Sequence, residues 1–303
     1  TADQLYDAVR AVDWSPYITT QQTFSVSSVA VGSTLNHSGF VALRAKDAIV
    51  DQIRDREGDR PSVDRDDPDV RVFVYLANDK ATIYLDMSGS PLHLRGYRAR
   101  GGGAPLRETL AAAILRMVGW DRRSPLIDPM CGSGTIAIES ALWASGVAPG
   151  LARERFGFER WACHGEVQAQ QMRTLRGALR GDVTGQKPSI IAADIDSEAL
   201  EIAQDNAKIA GIKLAFRQQS VLDLQPDGAS RIVVTNPPYG KRLATESDFP
   251  AQFGRVIRRL HGWRVAFLSA TDAYEKAILL KPSHKIPLVN GDLDVHLLIY
   301  DIE

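Results

Sequence analysis

From Leu106 to the C-terminus, apolar runs of strand length alternate with stretches of helical period, and that alternation admits few folds. The strand candidates span residues 124–130, 188–196, 213–220, 229–238 and 263–270, and helical stretches such as 197–210 and 249–261 separate most of them. Strands joined through helices pair in parallel, and the helices then cover both faces of the sheet. The chain closes differently: two apolar runs, KIPLV and LDVHLLIYDI, meet at Asn290-Gly291, a pair that favours a tight antiparallel hairpin. The pattern predicts an α/β unit with a mostly parallel sheet that finishes in an antiparallel hairpin, unlike the sheet of a dinucleotide-binding dehydrogenase.

The first hundred residues follow another pattern. Phe24, Val26, Val29 and Val31 lie in a strand-like run over 22–33. Val41, Ala45, Ala48, Ile49 and Ile53 then recur at helical spacing, opposite a charged face of Arg44, Asp47, Asp51 and Arg54. The runs starting at Val70 and Lys80 read as strands with Asn78-Asp79 as the hairpin between them. A small α+β unit is expected over 1–98, a linker over 99–104 (ARGGGA), and the α/β unit over 105–303. At roughly 100–200 residues per domain, 303 residues suit two.

Composition removes some classes. No stretch approaches the roughly 18 uninterrupted apolar residues of a membrane-spanning helix, and no basic-then-apolar leader opens the chain, so no membrane role is expected. The opening at Thr1 leaves room for an upstream segment. Cys131 and Cys163 are too few for a disulfide framework and lack the paired spacing of a zinc site, which points to a reducing cytoplasm and no metal. A formal net charge of −1 gives no global attraction to polyanions, so a nucleic-acid partner has to be held by a local patch.

Two stretches carry chemistry. IDPMCGSGTIAIE puts Asp128 and Pro129 at a strand end, Cys131, Gly132, Ser133 and Gly134 in a tight turn, and a helix from Thr135. Ligands of doubly wound sheets sit at such strand ends, where glycines let the backbone come close. Neither the phosphate-binding Lys-Ser/Thr nor the third glycine of the dinucleotide fingerprint follows, which disfavours ATP and NAD. The next strand ends at Asp194, Ile195 and Asp196, where a carboxylate can accept both ribose hydroxyls of an adenosine; capping of the following helix by Asp196 or Ser197 is the competing explanation. Cys131 has no sequence neighbour that would lower its pKa, so it is not expected to act as a nucleophile.

The second stretch is TNPPYGKRL. An exocyclic amine on a base is a poor nucleophile because its lone pair is delocalised into the ring. A catalyst has to supply acceptors that favour a more tetrahedral nitrogen as a methyl group arrives from a sulfonium. Asn236 offers an amide oxygen, Pro237 and Pro238 offer only backbone carbonyls, and Tyr239 offers an aromatic face for a base turned out of its stack. Pre-set acceptors of this kind are electrostatic catalysis and need no metal. The motif specifies a planar nitrogen, and adenine N6, cytosine N4, guanine N2 and a glutamine amide all qualify.

AKDAIVDQI, VDRDDPDVRV, LHLRGYR, APLRETLAAAIL, LIDPMCGSGTIAIE and NPPYGKRL together resemble the THUMP-domain RNA guanine-N2 methyltransferases, above all the branch acting on 23S ribosomal RNA. The resemblance implies a THUMP-like RNA-binding domain followed by a Rossmann-like class I methyltransferase domain, S-adenosyl-L-methionine as cofactor, and a guanine in ribosomal RNA or its precursor particle as target. By position it implies that Asp128, Pro129, Cys131, Gly132, Ser133, Gly134, Thr135, Asp194, Ile195, Asp196, Val221 and Asn236 line the cofactor site and that Thr109 approaches the methionine carboxylate. Where the pattern usually has an adenine-contacting Asp, this chain has Ser220, with Asp223 three residues on. The family's lead-in domain and a second methyltransferase domain carried by some relatives have no counterpart in these residues. A tRNA guanine-N2, an RNA adenine-N6 or a protein-glutamine methyltransferase, and a non-catalytic RNA-binding protein, are the competing functions. Residues 153–161 (RERFGFERW), with Arg173, Arg176 and Arg180, are either an RNA-contacting insertion or a salt-bridged surface.

Overall fold

The computed structural model describes residues 1–98, 106–184, 188–226, 231–238 and 248–303; the expected linker at 99–104 and Tyr239 lie outside them. The described residues form two compact units, one of 1–92 with 153–177 and one of 93–152 with 178–303.

The N-terminal unit opens with α1 (Ala2–Arg10), whose first turn is capped by the Thr1 side chain in a reciprocal capping box with Gln4. It continues through β1 (Thr23–Val31), α2 (Ser38–Glu57), the two-residue β2 (Ser62–Val63), β3 (Val70–Ala77) and β4 (Lys80–Leu85). Neither α1 nor β2 is predicted by the sequence pattern. The sheet order is β2-β1-β3-β4, with β1 parallel to β2 and β3, and β3 antiparallel to β4. Asn78 and Asp79 both take positive φ, the mirror-image turn that matches strand twist in a two-residue hairpin. The apolar stripe Val41, Ala45, Ala48, Ile49 and Ile53 is fully buried against Phe24, Val70, Val72 and Val74. The opposite face of α2 is tied to α1 by Arg44–Asp3 at 2.7 Å and by the Tyr6 hydroxyl donating to Asp51 at 2.7 Å.

The second unit runs α3 (Glu108–Met117), β5 (Leu126–Asp128), α4 (Thr135–Ala144), α5 (Glu166–Gly181, which starts in the other unit), β6 (Ile190–Asp194), α6 (Ser197–Ile209), β7 (Ala215–Gln218), β8 (Ile232–Thr235), α7 (Phe249–Ile257), β9 (Arg264–Ser269), α8 (Ala273–Ile278), β10 (His284–Asn290) and β11 (Leu293–Asp301). Its sheet has the order β10-β11-β9-β8-β5-β6-β7; β5 to β9 are parallel, and β11 runs antiparallel to both neighbours. This is the predicted parallel sheet with its closing antiparallel hairpin, a Rossmann-like methyltransferase fold. Asn290 pairs with Leu293, so Gly291 and Asp292 form the loop, with Gly291 at φ +64°. The chain winds outward from β5 through β6 to β7, then crosses to β8 on the other side of β5. The crevice at the carboxyl ends of β5 and β8 is the topological switch point, where such sheets bind ligands.

Residues 153–177 belong to the N-terminal unit, although the sequence pattern assigns them to the second. Arg153 donates to the carbonyls of Ser88, Ser90 and Pro91, Arg160 pairs with Asp67 and Asp69, and Arg176 pairs with Glu159. Trp161 packs on the core that holds Trp14 and Ile18. The arginines Arg153, Arg160 and Arg176 are therefore engaged within the unit, as the salt-bridged alternative expects.

Candidate functional site

A cavity of about 740 Å³ opens at the switch point. Asp128 ends β5, and the turn that follows is pinned to β6, because the Cys131 N–H donates to the Ala193 carbonyl at 2.9 Å and the Gly132 N–H to Asp194 Oδ2 at 2.8 Å. Gly132 and Gly134 have φ of +51° and +81°, where side chains are strained. A Cβ on Gly134 would also lie 3.0 Å from the Ala203 Cβ, so this glycine lets α4 meet α6. It does not line the cavity, whereas Asp128, Pro129, Cys131, Gly132, Ser133 and Thr135 do. Asn206 on α6, invisible as a site residue in the sequence, donates to the Ser133 carbonyl at 2.9 Å and holds the loop from behind.

On the β6 side, Asp194, Ile195 and Asp196 line the cavity. Asp194 Oδ1 accepts the Asp196 N–H at 3.1 Å, so the carboxylate organises both loops while bordering the space. Asp196 also caps α6, accepting the Glu198 N–H at 2.9 Å, which is the structural role weighed against ligand binding. Ser220, Val221 and Leu222 form the next wall, and Asp223 is outside it. Thr109 is exposed on the first turn of α3 and does not line the cavity, contrary to the expectation for it. The cause is the orientation of α3: the neighbouring Glu108 turns inward to Arg98 at 3.1 Å, and Leu106 takes the place at the wall. Met130 and Phe249 line it too, apolar positions with no local signal in the sequence.

Past the end of β8, Asn236 and Pro238 reach the cavity, while Pro237 is buried behind them. The Pro238 carbonyl is already an acceptor, taking the hydroxyl of the fully buried Tyr274 at 2.6 Å. One of its two lone pairs is thereby taken. The Asn236 side-chain oxygen is buried and accepts no hydrogen bond among the described residues. A buried acceptor without a donor costs free energy, and such atoms in native proteins call for a partner.

Asp128 is almost fully buried, receives the Thr235 hydroxyl at 2.7 Å, and has its pKa pushed up to about 7 by desolvation. The native protein then keeps this proton over a range in which the unfolded chain, at 3.8, has released it. Its contribution to stability accordingly declines as pH rises from about 4 to about 7, and is constant above. In the ligand-free protein, the urea midpoint of wild type minus that of Asp128→Asn should fall across that window; a flat difference would mean that the buried carboxyl is already ionised. Burial, and secondarily the charge of Asp128, raises the Cys131 thiol well above its ordinary value, which agrees with no nucleophilic role.

A family model described as the RMKL-like methyltransferase domain matches residues 95–299, and one for the THUMP domain matches 1–86. The chain belongs to the RMKL-like methyltransferase family. A relative named ribosomal RNA large subunit methyltransferase K/L, from Syntrophotalea carbinolica, is 41% identical over 99% of this chain, and the chain spans 44% of that relative's length. The crystal structure of a possible methylase from Clostridium difficile 630 superposes with a TM-score of 0.90 at 30% identity, covering 100% of this chain and 81% of the other. SMU.472, described as a methyltransferase complexed with SAH, gives a TM-score of 0.89 at 28% identity, covering 100% and 81%. Within the RMKL-like domain of this chain, the switch-point cavity is thus built of a glycine turn, two strand-end carboxylates and an unpartnered amide oxygen. No helix among the described residues is long and apolar enough to cross a membrane.

Proposed function

We propose that this chain transfers a methyl group from S-adenosyl-L-methionine to the exocyclic N2 amine of a guanine in structured RNA, namely 23S ribosomal RNA or its precursor particle, in the cytoplasm. The observation that carries the reading is the side-chain oxygen of the cavity-lining Asn236, buried and without a donor among the described residues, an acceptor in want of a planar N–H donor. The cofactor fits what is present: the cavity is large enough for a nucleoside with an amino-acid tail, and carboxylates stand at the ends of β5 and β6. When bound, it supplies a methyl group on a sulfonium, open to one-step displacement.

In this proposal Asp194 and Asp196 accept ribose hydroxyls, Ser220 and Val221 border the adenine, and the turn of Cys131, Gly132, Ser133 and Thr135 holds the methionine end. Asn236 Oδ1 accepts an N–H of the amine, drawing its lone pair out of conjugation and toward the methyl group. Tyr239 would stack on the flipped base. No general base is required, because the ammonium product loses its proton readily to water. The name of the curated relative and the THUMP match support an RNA substrate, with residues 1–98 contributing to its capture.

The test is incubation of the chain with labelled cofactor and ribosomal RNA, followed by nucleoside mass spectrometry. Label in N2-methylguanosine is expected. Label in N6-methyladenosine would overturn the guanine assignment, and label only in a glutamine-bearing protein would overturn the RNA assignment.

A further inference from the structure

The second unit holds another cavity, of about 340 Å³, that the methyl-transfer reading does not use. It lies toward the C-terminal ends of α4 and α6, where Leu142, Trp143 and Ile209 form its walls, while the N-terminal turn of α4 borders the switch-point cavity. No residue lines both spaces.

Its composition is that of a ligand site rather than of a packing defect. The floor holds Glu139, 5% exposed, which accepts the Tyr97 hydroxyl at 3.1 Å and meets Arg95 Nη2 at a long 3.4 Å. Arg95 Nε is buried and finds no acceptor among the described residues. At the rim, the exposed Arg116 guanidinium sits 4.9 Å from the Trp143 ring centre. Two guanidinium groups, those of Arg95 and Arg116, line the cavity beside one carboxyl group, that of Glu139. An apolar wall favours a flat ring, and guanidinium groups at floor and rim favour an anionic group. The volume falls in the roughly 300–1,000 Å³ range of small-molecule sites.

We propose that this cavity binds a small planar aromatic acid, with the ring against the apolar wall of Leu142 and Ile209 and the acid group facing the guanidinium groups of Arg95 and Arg116. The site is independent of the methyltransferase chemistry, so its test needs no activity. The full chain is titrated by calorimetry with indole-3-acetate, indole and acetate. Indole-3-acetate should bind saturably and at least tenfold tighter than either fragment. Ala112→Leu and Ala148→Leu fill the cavity from two different segments without touching the charged floor; each should weaken indole-3-acetate at least tenfold while its melting temperature stays within a few degrees of wild type. Absence of saturable binding to the wild type, binding no tighter than that of acetate, or undiminished binding in whichever filled variant remains folded would overturn the site.

Discussion

Replacement of Asn236 by alanine is expected to leave cofactor affinity within about twofold and to lower the methylation rate by roughly 10²–10³, the usual consequence of losing one pre-organised electrostatic partner. The reason lies in the geometry at the end of β8. Of the three acceptors that the Asn-Pro-Pro stretch could present, the Pro238 carbonyl already takes the Tyr274 hydroxyl on one lone pair, and Pro237 is buried off the cavity wall. Asn236 Oδ1 is the one that is buried and without a donor among the described residues. Its interaction strengthens as the target nitrogen acquires positive charge, so the loss falls on the rate rather than on binding of either substrate. Asn236→Asp keeps an acceptor and should retain part of the activity. Single-turnover methylation of guanine-containing RNA measures both variants, and a wild-type rate for the alanine variant would remove Asn236 from catalysis.

The second large effect is expected at Asp194. Its carboxylate accepts the Gly132 and Asp196 N–H groups, so Asp194→Ala loses a charged acceptor for the ribose and also unties the glycine turn from β6. Charged hydrogen bonds are worth about 1.5–3 kcal/mol each, and cofactor affinity should drop at least tenfold. Titration with S-adenosylhomocysteine reads this directly. The two roles separate in Asp194→Asn: its single oxygen can accept one N–H but not both, so an affinity intermediate between wild type and Asp194→Ala is expected. Unchanged affinity in the alanine variant would leave Asp194 with a purely structural duty.

What the sequence made legible follows from the range of the forces involved. The alternation beyond Leu106 and the turns at Asn78-Asp79 and Gly291 are local, because backbone preference and apolar period act over a few residues, and the strands and hairpins appear where they were expected. Contacts between distant residues were not legible. The capture of the Pro238 carbonyl by Tyr274, the support of Ser133 by Asn206, and the inward turn of Glu108 that carries Thr109 away from the cavity each join positions with no shared local signal. Helix α1 is a different case: its Thr1–Gln4 capping box and the buried pair Leu5 and Val9 at helical spacing are local signals that the strand and helix pattern passed over.

The discontinuity of the N-terminal unit bears on how the chain acquires its structure during synthesis. Arg160 meets Asp67 and Asp69 across separations of 93 and 91 residues, and the segment carrying it leaves the ribosome only after residues 93–152 of the other unit. A nascent chain that has emerged only as far as about residue 100 therefore has its sheet and α2 available but neither the Trp161 side chain over its core nor the cations for its acidic turn. Contacts of such separation close late, since the entropy of a long loop is lost before they form. The amino-terminal unit thus cannot mature ahead of the rest in simple vectorial order, and a fragment cut after Arg98 would be trapped at that same incomplete stage, exposing apolar surface that the intact polypeptide covers once residue 177 has emerged.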